Sequence, residues 1–135
     1  GMNPVFSKII IKLLAIASGL NGLWMLLHAW SWFDWLPGVS DTGTANAHFI
    51  HDVGIVYCLC AGGLWWSLNN LAKAYPLFVG ITLFYLGHAL GHVFEILLGQ
   101  LPPSHWLIDL PLVFAPALFL GWIAMPKQWN KLLKA

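Results

Sequence analysis

The chain contains no arginine, and only 8% of its residues are charged, against roughly 25% in a soluble globular domain. Its six lysines leave a formal net charge of +1. A dense cationic patch of the kind nucleic acid requires is therefore missing, and no acidic partner is implied. Cysteine is scarce too. Cys58 and Cys60 lie two positions apart, and on a helix such residues point about 200° away from each other, so one ion is not held by both. No serine or cysteine stands beside the histidines described below in a way that suggests a nucleophile, which leaves covalent catalysis without support.

What the chain does have is oil. Hydrophobic residues make up 59% of it and the mean hydropathy is +0.75. Four apolar stretches approach or exceed the ~20 residues that a helix needs to cross a bilayer. They run over 5–32, 46–68, 75–98 and 104–125, leaving 126–135 as a polar tail. The links between them are short, which forces antiparallel neighbours. The fold class expected is an all-α integral membrane protein, a single domain over 1–135 built as an up-down bundle of four transmembrane helices. Pro111 and Pro116 are expected to kink the fourth span.

Lysine sets the orientation. Lys8, Lys12, Lys73, Lys127, Lys131 and Lys134 all fall at one end of such a bundle, and the opposite loops carry Asp34 and Asp41. The positive-inside rule then puts both termini in the cytoplasm of a bacterial inner-membrane protein, with 126–135 along the headgroups.

The informative residues are the polar ones inside the oil. His88, His92 and Glu95 fall within roughly 60° of one another on a helix. His48 and Asp52 are four apart, His48 and His51 three apart, and His105 and Asp109 four apart. His28 lies near the outer end of the first span. All six histidines thereby lie toward the extracytoplasmic side. Buried ionisable groups need a partner, and the partner expected is a metal ion. Imidazole mixed with carboxylate suits Zn, Fe, Ni, Mn or Cu(II), one ion or two. The expected ligands are His48, His51, Asp52, His88, His92 and Glu95. His28, His105 and Asp109 serve a second site or orient the first, and Tyr85, on the His88 stripe, can hydrogen-bond a ligand. By this reading His92→Ala costs more than His105→Ala.

The His88-x-x-x-His92-x-x-Glu95 pattern resembles the histidine motifs of membrane di-iron oxygenases and desaturases. Those families carry several such boxes facing the cytoplasm, whereas this chain has one such helix. Small residues support close packing of the ligand-bearing helices: Gly87-x-x-x-Gly91 on the third span, and Gly54, Cys58 and Gly62 on the second. The same faces are the expected contacts of a homo-oligomer.

The function expected is thus a membrane metalloprotein, either a metal-dependent enzyme or a protein that handles metal ions. Two alternatives use the same histidines. One is a b-type haem held between two imidazoles. The other is a cofactor-free structural or proton-relay protein.

Overall fold

Where each apolar run begins and ends follows from the residues at its edges. In the computed structural model, which describes residues 1–135, helix α1 (Pro4–Leu27) starts with Pro4 in its first turn. Asn3 caps it, its side chain accepting the Val5 N–H at 2.8 Å. α1 stops at His28, whose backbone leaves helical geometry (φ −145°, ψ 63°), and a short helix, α2 (Ala29–Trp35), follows. The first apolar stretch is therefore two helices rather than one unbroken span. Two indoles tie the pieces together. Trp24 Nε1–H donates to Ser31 Oγ at 3.0 Å, and Trp32 Nε1–H donates to Asn21 Oδ1 at 2.8 Å.

A 3-10 turn over Val39–Thr42 leads into α3 (Ala47–Leu68), capped by the Asn46 side chain on the Phe49 N–H. α4 (Leu71–Leu97) begins ahead of the expected Tyr75, so Pro76 lies inside it. The helix ends on Gly99 at φ +77°, where only glycine is comfortable. The Gln100 N–H reaches the Glu95 carbonyl at 2.8 Å and the Gly99 N–H reaches that of Ile96 at 3.1 Å, a Schellman end.

The fourth stretch departs furthest from a simple span. It divides into α5 (His105–Ile108), a π turn over Leu110–Phe114 and α6 (Ala115–Ile123). The apolar rod begins only at Leu110, past the expected Ser104. At 1.5 Å per residue, Leu110–Ile123 is too short by itself for a ~30 Å hydrocarbon core. α7 (Pro126–Leu133) leaves it at 74°. The tail is not a free segment: Trp129 and Leu132 are buried, and the Trp129 ring packs on Phe78 with centroids 4.8 Å apart.

Three helices are long and apolar enough to cross a membrane, or four if the bent pair counts as one span. Their outer faces agree: Leu20, Leu59 and Leu118 are 64%, 69% and 68% exposed, a surface suited to lipid rather than water. α1 lies along α3, and α4 packs against both α3 and α6. The α1–α3 crossing is tightest at Gly22, where an added Cβ would meet the Gly54 carbonyl oxygen at 2.6 Å. Of the small residues expected to bring α3 against α4, Gly54 and Cys58 instead receive Gly22 of α1 and Gly62 meets nothing, while the neighbouring Gly63 is the one that admits Ile81 of α4. Gly87 and Gly91 have nothing within 4 Å of where a Cβ would stand.

The larger core cluster includes Ile11, Leu64, Phe78, Leu120 and Trp129 and fills the middle and the lysine end. At the histidine end only Met25, Ala29 and Ile50 form a second, small cluster. The well-packed end holds the helices together, and the thinly packed end holds the polar groups.

Candidate metal centre

The histidine end contains one convergent donor group: His92 on α4, His105 at the start of α5 and Asp109 at its close. One ligand atom from each lies within 4.8 Å of the others. His92 Nδ1 stands 2.7 Å from Asp109 Oδ2, and His105 Nδ1 stands 2.9 Å from the same oxygen. The side chains are 16%, 1% and 6% exposed for His92, His105 and Asp109. On the far side of the His105 ring, Nε2 lies 2.8 Å from Asp41 Oδ2 in the 3-10 turn.

Local structure explains this placement. The π turn makes the Asp109 carbonyl accept both the Val113 and the Phe114 N–H, at 2.8 and 2.9 Å. Pro111 and Pro116 lack the N–H groups of a regular ladder, and the wider turn absorbs the mismatch. The carboxylate is held at that irregularity. From the other side the 37–43 loop lies directly on His105. Gly38, at φ +84°, leaves room where a Cβ would stand 2.8 Å from His105 Cε1. Thr42 Oγ1–H closes the turn on the Val39 carbonyl at 2.6 Å.

The protonation logic is restrictive. Both nitrogens of His105 face carboxylate oxygens. An imidazole that donates from both is an imidazolium, and the two acids supply the charge that keeps it so. His105 precedes the apolar rod that begins at Leu110. Burial pulls its pKa down, but the hydrogen bonds and charges of Asp41 and Asp109 outweigh that, and the net shift is upward from 6.5.

The arrangement also has the makings of an ion site. A tetrahedral ion about 2.1 Å from each donor would keep donors roughly 3.4 Å apart, and the two contacts to Asp109, at 2.7 and 2.9 Å, would have to widen to admit it. An ion bound at Nδ1 of His105 would take the place of one proton, and the Nε2–H would still donate to Asp41 and orient the ring. Three protein donors leave at least one coordination position for water or substrate.

The expected ligands are distributed differently. His48 and Asp52 do pair, at 3.3 Å, but on the exposed face of α3, with side chains 78% and 56% exposed. Gly54 and Cys58 of α3 turn toward α1 at this end, which leaves His48 and Asp52 on the open face. His51 is half-buried and shares a shallow hollow with exposed His28. His88 is one turn from His92, with ring centroids 4.7 Å apart, yet its ring stacks on Phe84 and touches no carboxylate. Glu95 is half-buried and lies outside the donor group. Tyr85 is buried and hydrogen-bonds Ser18 across to α1 rather than a histidine. Of the expected ligand set, His92 alone is in the cluster, joined by His105 and Asp109 from the supporting set. Asp41 is the residue that sequence reasoning passed over, since a loop aspartate after Pro37-Gly38 looks like ordinary turn chemistry.

Comparison with protein-family models, with curated proteins and with solved structures gives no match for this chain.

Proposed function

We propose that the chain is a membrane metal-binding protein whose ion is held by His92, His105 and Asp109, with Asp41 fixing the ring of His105. The observation that carries this reading is the convergence of two imidazoles and a carboxylate from two elements within 4.8 Å, with two of the three almost fully buried. The donor set favours Zn, Fe, Ni, Mn or Cu(II). The open coordination position suits either a metal-dependent enzyme or a protein that takes up and releases ions. Haem is the weaker use of the same residues, because the partners of His92 and His105 are carboxylates rather than each other across an apolar slot. In this reading the lysine end faces the cytoplasm and the ion lies toward the outside. The uncovered Gly87 and Gly91 face is the natural contact for a second copy.

The test is metal content after purification in detergent and loading with Zn(II) or Fe(II). Stoichiometric uptake is expected for the parent chain and for His48→Ala, and loss of uptake for Asp109→Ala and His105→Ala. No uptake above a detergent blank rejects the reading. A metal-free network then takes its place, a second reading favoured by the fact that Asp41, His105, Asp109 and His92 already hydrogen-bond one another in series.

A further inference from the structure

Beside the donor cluster, the thin packing of the histidine end leaves a chamber of about 640 Å³ between α1, α3, α4 and the fourth stretch. That is within the range of ~300–1,000 Å³ typical of small-molecule sites. Its walls are mainly apolar. Leu20 of α1 and Leu112 of the π turn both line it, and both are more than half exposed on the lipid-facing surface. The chamber therefore opens sideways, between the first and fourth stretches, as well as toward the loops.

Two polar groups on its wall have no protein partner. The Tyr57 hydroxyl of α3 and the His88 ring of α4 both line the chamber, with ring centroids 6.5 Å apart and edge to face. Their neighbours are paired: His92 and His105 with Asp109, and Tyr85 with Ser18. Neither Tyr57 nor His88 is sealed off from the chamber, since Thr82 Oγ1 is the one fully buried side-chain polar atom without a partner, so each is free to donate an X–H to an acceptor held in that mainly apolar space. Neither is a ligand of the proposed ion site, although His92 and Asp109 of that site stand on the same chamber wall, so binding is tested with the ion removed.

We infer that the chamber binds a lipid-soluble carbonyl compound that enters from the bilayer, its oxygen accepting hydrogen bonds from Tyr57 and His88 and its apolar chain leaving past Leu20 and Leu112. A membrane quinone has this chemistry in a flat ring, and an acyl ester has it without the ring.

Trp24 and Trp32 also line the chamber, so a bound quinone quenches them on contact. The probe is a decyl-substituted benzoquinone titrated into the metal-chelated full chain in nanodiscs, followed by tryptophan fluorescence. Saturable quenching is expected. Tyr57→Phe, which keeps the ring contacts, and His88→Leu are each expected to weaken binding about threefold to tenfold, the worth of one hydrogen bond. Methyl decanoate is the second arm. If it displaces the quinone, the natural occupant is an acyl lipid. If it does not, the occupant is a quinone. Quenching that rises linearly without saturation, or saturable binding that neither substitution alters, overturns the inference.

Discussion

Two histidine–aspartate pairs in this chain share residue types, spacing and end of the molecule, yet they have opposite surroundings. His48 and Asp52 on α3 meet at 3.3 Å in the open, and His105 and Asp109 on α5 meet at 2.9 Å with almost no exposure. Spacing of four brings the partners together in both cases. What separates them is the cover. Nothing packs over the first pair, while the 37–43 loop lies on the second and brings Asp41 to the other nitrogen of the imidazole. An exposed ion pair is worth about 0–1 kcal/mol, whereas removing one partner of a buried pair costs about 3–5 kcal/mol. A chelating spacing in a sequence is thus a statement about a pair, and only the third element makes it a site.

Removing the shared carboxylate tests the comparison hardest. Asp109→Ala strands the Nδ1 groups of both His92 and His105 in a buried place. A loss of about 3–5 kcal/mol is expected in denaturant unfolding in detergent. His105→Ala belongs in the same range, because it uncouples Asp41 and Asp109 together. Its cost is expected to exceed that of His92→Ala, the reverse of what the stripe on α4 suggests from sequence. Should Asp109→Ala unfold no more easily than Asp52→Ala, burial would not be what distinguishes the pairs.

Lifting the cover is the next largest change. Gly38→Ala puts a Cβ 2.8 Å from His105 Cε1 at a left-handed φ of +84°. The expected cost is about 1–3 kcal/mol from backbone strain and overpacking. The loop moves off, and the buried pair comes to resemble the exposed one. Hydrogen exchange at the amides of 105–109 should rise in step with the loss of stability.

Much of the fold was legible because its causes are local. The apolar runs become helices, Gly99 stops α4, and the prolines of the fourth stretch break its ladder. The donor group was legible in kind but not in membership. His88, His92 and Glu95 share a stripe on α4, but a stripe does not say which neighbour faces it. That choice rests on Gly22 meeting Gly54, which turns α3 toward α1 and sends His48 and Asp52 outward. His105, Asp109 and Asp41 sit at a π turn and a 3-10 turn, where no period exists to read, and their meeting spans sixty-four residues of chain.

Asp41→Asn sharpens the comparison more gently. It keeps the shape of the turn and removes one of the two charges that hold the His105 pKa up. The sign is fixed by that direction. An imidazolium favoured in the fold contributes stability that is fully present below the ordinary imidazole pKa of about 6.5 and is lost as pH rises through the raised folded value. In Asp41→Asn this loss is expected at lower pH, with a cost of about 1–2 kcal/mol on the acid side. Metal uptake runs the other way, since an ion on Nδ1 has to displace a proton, so affinity for Zn(II) is expected to climb over the same pH interval. An unfolding free energy whose pH dependence is identical in parent and variant would show that Asp41 does not set the charge of His105.

The smallest effect is expected where sequence reasoning placed the most weight. Asp52→Ala removes a carboxylate that lies 3.3 Å from His48 and is 56% exposed. Solvent already screens the pair, and neither side chain is held by a second element, so the stability change is expected to stay within about 0.5 kcal/mol. Bound Zn(II) per chain is expected to be unchanged, because the three donors of the proposed site are on α4 and α5. A metal content that fell with Asp52→Ala and held with Asp109→Ala would move the ion to α3. The exposed pair would then need a cover that this chain alone does not supply, such as the corresponding face of a second copy.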